Sequence, residues 1–271
     1  MNENTLIVRI LQITDFHLLG DIHKKFLGIN PYNNLIAIMN NATQHLSTNG
    51  TNLLLLTGDI SQDFSPASYE RALSITNQLK IPTKIIAGNH DDKNILTQIM
   101  LKDKEHAQKS INYDNWSIIL LNTHWPNHVA GLLDPQELDF LQQELNNNHD
   151  KNIVIFLHHH VLPVGAPWVD KHILINAEQL LDILAQHKNI EAVFSGHVHQ
   201  ESIIKYQHIN LYTTPAVAWQ FTPKLPTFKL DAQMPGYRII DLYKDGKYVT
   251  KVIRLSHNKA FIPDLNSKGY T

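Results

Sequence analysis

Residues 7–17 read Ile-Val-Arg-Ile-Leu-Gln-Ile-Thr-Asp-Phe-His, an apolar run rich in β-branched residues that stops abruptly at Asp15-Phe16-His17. Such runs read as buried strands. The strand spans Ile7–Thr14, which puts Asp15 and His17 at its carboxyl end. The same pattern returns four times. Leu53–Leu56 runs into Thr57-Gly58-Asp59, and Thr83–Ala87 into Gly88-Asn89-His90-Asp91. Asn152–Leu157 ends in His158-His159-His160, and Ala192–Ser195 in Gly196-His197-Val198-His199.

Helices fill the intervals. Pro31 to about Leu46 carries Leu35, Ile36, Ile38 and Met39 at helical spacing. Ser65-Pro66 pairs a capping hydroxyl with proline at the first helical position, and Tyr69, Leu73 and Thr76 continue one face. Asp134-Pro135-Gln136-Glu137 resembles a capping box, in which the glutamate reaches back to the cap residue. Ala177–Gln186 reads as a further helix and Ser117–Asn122 as a further strand. Beyond His199 the pattern changes to two hairpins, Glu201–Tyr206 with Ile209–Thr213, and Tyr237–Tyr243 with Tyr248–Leu255 around Asp245-Gly246. Alternating strands and helices predict an α/β fold. No linker, repeat or composition shift interrupts it, so residues 1–271 are expected to form one domain whose C-terminal β-hairpin region covers about 201–271.

The chain has 271 residues, 43% hydrophobic and 18% charged, which excludes disorder and allows a full core. A formal net charge of -2 with scattered Lys and Arg offers no stripe for long nucleic acid and favours a small anionic substrate. The lack of cysteine excludes disulfides and thiolate metal ligands. The opening segment lacks a basic region and a cleavage site, and no run approaches the roughly 20 apolar residues of a membrane span. A cytoplasmic location without membrane contact is therefore expected.

Histidine is abundant at 17, and His17, His90, His158, His159, His160, His197 and His199 crowd into four of the strand-end segments. Ligands gather at the carboxyl ends of strands in open α/β sheets, so these segments converge on one crevice. Singly, Asp-x-His is a common pair, Gly-Asp marks turns, and a triple histidine is a polar loop. Their order at successive strand ends is the signal. Imidazole and carboxylate donors together suit Fe, Mn, Zn, Co or Ni rather than Mg or Ca. Asp15, His17, Asp59, Asn89, His158, His197 and His199 exceed the needs of one ion, which predicts two divalent or trivalent ions sharing a carboxylate.

Taken in order, Asp15-x-His17, Gly58-Asp59, Gly88-Asn89-His90-Asp91, His158-His159 and Gly196-His197-x-His199 resemble the signature of the calcineurin-like metallophosphoesterases. Gly58–Asp63, Leu162-Pro163-Val164-Gly165, Trp168-Val169-Asp170, Gln200 and Phe261-Ile262-Pro263-Asp264 make the chain similar to the class III cyclic nucleotide phosphodiesterases. Within that class it is similar to the bacterial 3',5'-cyclic-AMP phosphodiesterases. The resemblance implies a four-layer αββα sandwich with two central mixed sheets. It implies that Asp15, His17 and His199 hold one ion, Asn89, His158 and His197 the other, and that Asp59 bridges them. Fe and Mn are the first choice, with Zn, Co or Ni as alternatives. His158 is taken as the ligand because it comes first after the strand, with His159 as the alternative, since His160-Val161 delays the proline that the family carries sooner.

The implied reaction is hydrolysis of 3',5'-cyclic AMP to 5'-AMP by a hydroxide activated between two metals. His90 is the implied catalytic donor, oriented by Asp63 or Asp91, and His17, Asp59, Asn89, His90 and His199 face the substrate phosphate. Trp125, His124 and Trp168 are available to a base, with none singled out. The partner is a small cyclic nucleotide. Another small phosphoester, such as a 2',3'-cyclic nucleotide, a glycerophosphodiester or a phosphomonoester, remains the alternative, and a non-catalytic scaffold is a further one. The C-terminal hairpin either completes a sheet or forms the edge of a homodimer.

Overall fold

The computed structural model describes residues 5–269, so the reading of Met1–Asn4 lies outside the described residues. In chain order it runs β1 (Leu6–Ile13), α1 (Pro31–Thr43), β2 (Thr51–Thr57), α2 (Pro66–Thr76), β3 (Thr83–Ile86), α3 (Lys93–Lys102) and β4 (Ser110–Tyr113). It continues with β5 (Trp116–Leu120), α4 (Pro135–Asn147), β6 (Asn152–Phe156), α5 (Pro167–Asp170), α6 (Ala177–Ala185) and β7 (Ile190–Ser195). The last part comprises β8 (Ser202–Tyr206), β9 (Ile209–Thr213), β10 (Gln220–Phe221), β11 (Leu230–Asp231), β12 (Gly236–Tyr243) and β13 (Tyr248–Arg254).

Two mixed sheets face each other. One has the order β13-β12-β1-β2-β3, with β1, β2 and β3 parallel and the C-terminal hairpin antiparallel to β1. The other has the order β4-β5-β6-β7-β9-β8, parallel from β5 to β9 with an antiparallel strand at each edge. Val8, Ile10, Leu53 and Ile240 of the first sheet interlock with Trp116, Ile118, Phe156 and Phe194 of the second in a core between them. Leu35, Ile38, Ala72 and Leu96 cover the outer face of the first sheet, and Leu141, Leu145, Leu180 and Leu184 that of the second. The layers are therefore helix, sheet, sheet, helix, because strands buried on both faces need cover on both.

Local signals explain most of the elements. Asn30, Ser65 and Asp134 each cap a helix whose first residue is proline. The capping box is only half made. Asp134 accepts from the Glu137 N–H, but the Glu137 carboxylate turns away to Lys109 Nζ and the Asn122 N–H, both at 2.7 Å. Helix α1 stops at Thr43, short of Leu46, and α3 and β4 had not been anticipated. Asp92 caps α3 by accepting from the N–H groups of Asn94 and Ile95. The hairpin of β8 and β9 forms as expected, yet it is β9 that lies beside β7, leaving β8 at the edge with Ile203 60% exposed.

The C-terminal hairpin completes the first sheet. Strand β12 pairs with β1 from Tyr243↔Leu6 to Arg238↔Gln12, and Asp241 takes a bidentate bond from Arg9 at 2.7 and 2.6 Å. Ile240 is fully buried between the sheets, whereas Val249 on the outer strand is 55% exposed. Ile240→Ala is expected to cost about 2–5 kcal/mol in urea unfolding, and Val249→Ala about 0.5 kcal/mol or less. Equal small effects would place the hairpin outside the core.

Candidate metal centre

The ends of β1, β2 and β3 meet those of β6 and β7 across the seam between the sheets. Backbone bonds stitch the ends together: the Asp15 N–H donates to Gly58 O at 3.0 Å, His17 N–H to Asp59 O at 2.9 Å, and Gly196 N–H to His158 O at 2.9 Å. Asp15, His17, Asp59, His197 and His199 all adopt positive φ, at 57°, 49°, 53°, 67° and 48°. Left-handed backbone in non-glycine residues costs on the order of 1–3 kcal/mol each and concentrates at functional sites. Neighbouring glycines make the room. A Cβ at Gly88 would overlap the Asp59 carboxylate, and one at Gly196 the Thr14 hydroxyl.

Three imidazoles are anchored by Nδ1. His17 Nδ1 donates to Gln62 Oε1 at 2.8 Å, His158 Nδ1 to Thr57 O at 2.8 Å, and His199 Nδ1 to Trp219 O at 2.8 Å. This fixes the tautomer that leaves each Nε2 lone pair aimed into the seam. His199 Nε2 lies 3.3 Å from Asp15 Oδ1 and 3.2 Å from His17 Nε2. His158 Nε2 lies 3.2 Å from Asn89 Oδ1. The Asp59 carboxylate spans the two groups, with Oδ1 3.4 Å from His158 Nε2 and Oδ2 3.7 Å from His17 Nε2. His197 Nε2 is buried with no hydrogen-bond partner among the described residues. All seven sequence-identified donors thus share one basin, all but Asn89 classed as buried.

The electrostatics of the basin call for a cation. Burial pushes the Asp15 carboxyl up, and Asp59 adds to this, but His199 and His158 hold it below the ordinary range. Burial acts likewise on Asp59, and His158, His90 and His17 hold it well below. In return His158, which burial alone would lower, is pushed up to about 9 by Asp59 and Asp15. Burial drives His17 down to about 3 and, with the neighbouring imidazoles, drives His197 well below its ordinary value. Two carboxylates buried side by side repel one another unless positive charge lies between them. Asp15, His17 and His199 have donor atoms within 4.8 Å of one another, as do Asp15, Asp59 and His158. The donor set fits metal ions.

The calcineurin-like phosphoesterase family matches residues 8–201. This chain belongs to the calcineurin-like phosphoesterases. The 3',5'-cyclic adenosine monophosphate phosphodiesterase CpdA of Haemophilus influenzae is 32% identical over 265 residues, 97% of this chain and 96% of the relative. CpdA of Escherichia coli is 33% identical over 265 residues, 97% of this chain and 95% of the relative. A 3',5'-cyclic-nucleotide phosphodiesterase of Nostoc is 33% identical over 263 residues, 97% and 98% of the two chains. Among solved structures, a dimetal phosphatase from Danio rerio shares the fold at a TM-score of 0.65 and 14% identity, covering 93% of this chain and all of that one.

Around the basin of this phosphoesterase the other sequence candidates separate. His90 sits on the rim, its N–H donating to Asp59 Oδ1 at 2.8 Å and its ring edge-on to His17 at 5.1 Å. His159 has its nitrogens against Thr123 Oγ1 at 2.7 Å and Val129 O at 3.1 Å, and one of them lies within 4.8 Å of donor atoms of His158 and His197. His160 pairs with Asp170 at 3.3 Å. Asp91 accepts from the N–H groups of Gly88, Ile60 and Ser61, and burial together with Asp59 pushes it up to about 7. Asp63 accepts from the N–H groups of Gly20 and Ser65. Both carboxylates brace loops. Trp125 stacks on His128 within its own loop.

Two supports had escaped the sequence reading. Trp219 stacks on His17 at 4.7 Å, and the strand of backbone before it is tied to β1 by Val217 N–H to Thr14 O and Ala218 N–H to Asp15 O, both 3.1 Å. Gln62 fixes the His17 tautomer. It lies inside the Gly58–Asp63 stretch, where a polar residue beside a donor segment is its only sequence signal. Gln62→Leu is expected to leave thermal unfolding of the metal-free protein unchanged and to weaken Mn binding about 10- to 100-fold in calorimetric titration. Unaltered affinity would remove Gln62 from the support of the site.

Proposed function

We propose that this phosphoesterase hydrolyses 3',5'-cyclic AMP to 5'-AMP at the seam between its sheets. The observation that carries the reading is the convergence of two carboxylates, one amide and four imidazoles on a buried basin that opens beside His90. The substrate follows from the near full-length similarity to phosphodiesterases named for 3',5'-cyclic AMP. Asp15, His17 and His199 would hold one ion, Asn89, His158 and His197 the other, and Asp59 would serve both, with Fe and Mn as the preferred ions. Bound ions would lower the pKa of the attacking water and offset charge gathering on the phosphate oxygens.

The chain supplies the rest. Nδ1 anchoring keeps the imidazoles from turning, and the strained turns hold their donor atoms in place, so little reorganisation accompanies binding. His17, Asp59, Asn89, His90 and His199 surround the phosphate. As the P–O3' bond breaks, the His90 side chain passes a proton to the leaving 3'-oxygen and is left as neutral imidazole. A small soluble nucleotide accords with the net charge of -2 and with a cytoplasmic setting. Among the described residues no helix is long and apolar enough to cross a membrane.

Chelator-stripped protein restored with Mn is expected to convert 3',5'-cyclic AMP to 5'-AMP in preference to 2',3'-cyclic AMP and to a simple phosphomonoester. Preference for another ester would discard the substrate, and inactivity with both Mn and Fe would discard hydrolysis. His90→Ala is expected to lower kcat by about 10²–10⁴-fold with metal content unchanged. A full rate would end the role given to His90.

A further inference from the structure

Two clefts open from the rim at His90 and share Asn89, His90 and Val129 in their walls. The larger, about 510 Å³, mixes the charged Asp92 and Lys93 and the polar Asn127 with Phe64 and Pro126. The smaller, about 230 Å³, is continuous with Asp59, His197 and His199, and its far wall is Trp168, Phe221, Val169 and His172. Resting on the cyclic nucleotide reading above, we propose that this smaller cleft is the nucleobase subsite and that Trp168 is its stacking platform.

The case rests on chemistry, rigidity and register. A purine presents two apolar faces and a polar edge, which the paired aromatic wall of Trp168 and Phe221 beside the donor basin accommodates better than a wall that carries Asp92 and Lys93. Trp168 meets Phe221 at 4.8 Å and 83° and Phe228 at 5.2 Å and 75°, and these perpendicular contacts fix the plane of the indole.

The platform is also held in register with the donors. At the end of α5 the Asp170 carboxylate accepts from the N–H groups of Val164 at 2.9 Å and Gly165 at 3.0 Å and pairs with His160 at 3.3 Å. Val169 packs with Ala166 against Val198, the residue between His197 and His199. Trp168 therefore sits on a short turn clamped from both sides by segments that carry donors of the basin, the arrangement that positions one end of a substrate relative to the other.

The test compares 3',5'-cyclic AMP with an abasic ribose 3',5'-cyclic phosphate in the Mn-loaded enzyme. In Trp168→Ala, kcat/KM for cyclic AMP is expected to fall roughly 10- to 100-fold while the abasic substrate changes by about twofold or less. Trp168→Phe should recover most of the loss, and unchanged metal content with a single cooperative melt in both variants reports an intact fold. Equal losses on both substrates, no loss on either, or a selective loss caused instead by Phe64→Ala in the larger cleft would overturn the assignment. Quenching of tryptophan fluorescence by 5'-AMP, present in the wild type and diminished in Trp168→Phe, reads the subsite without turnover. If the wild type fails to hydrolyse cyclic AMP but keeps that quench, the substrate reading falls and the subsite stands; loss of both overturns the subsite as well.

Discussion

Everything in this molecule is arranged around two carboxylates, Asp15 and Asp59, held out of water in the seam between two sheets. A buried carboxylate is costly unless paired, and two of them side by side are costlier. The chain answers with imidazoles rather than with Lys or Arg. His199 and His158 stand against Asp15, and His158, His90 and His17 against Asp59. Fixed cations would neutralise the carboxylates permanently and close the basin to metal. Imidazoles with their Nδ1 atoms bonded can carry a compensating proton on Nε2, as the rise of His158 to about 9 indicates, or release it and offer the lone pair to an ion.

That choice has a structural cost which the scaffold absorbs. Five of the seven donors carry left-handed backbone, a conformation that persists only where the surroundings over-determine it. The surroundings here are the parallel strand ends, the Asp91 carboxylate gripping three N–H groups, and the segment before Trp219 bonded to the end of β1. The core between the sheets fixes one set of strand ends against the other. A site spanning two sheets has no single flexible element on which its geometry depends, which accords with the narrow distances among its donor atoms.

The residues that share the basin were legible because each falls where an apolar strand breaks off into polar residues, a purely local signal. Asp15, Asp59 and His197 could be placed from their flanking runs alone, and the paired C-terminal strands from the Asp245-Gly246 turn. What joins these segments was less legible. Trp219 lies far along the chain from His17, in a stretch without periodicity, and only the packing of β1 against the loop after β9 brings them together. Glu137 carried the spacing of a capping box, but Lys109 and the Asn122 N–H compete for its carboxylate. His158 and His159 are identical in local pattern and separate only once the structure puts one ring on Thr57 and Asn89 and the other on Thr123 and Val129. Strand β4 buries only Ile111, too faint an alternation to be read beforehand.

The central claim is that Asp59 serves two ligand sets at once. Metal content of the purified protein, measured by mass spectrometry after loading with Mn and removal of free ion, tests it directly in the wild type and in Asp59→Asn. The account predicts two ions per chain in the wild type, with loss of at least one in the variant while the fold remains intact. A wild type holding a single ion, or a variant that keeps both at undiminished affinity, would contradict it.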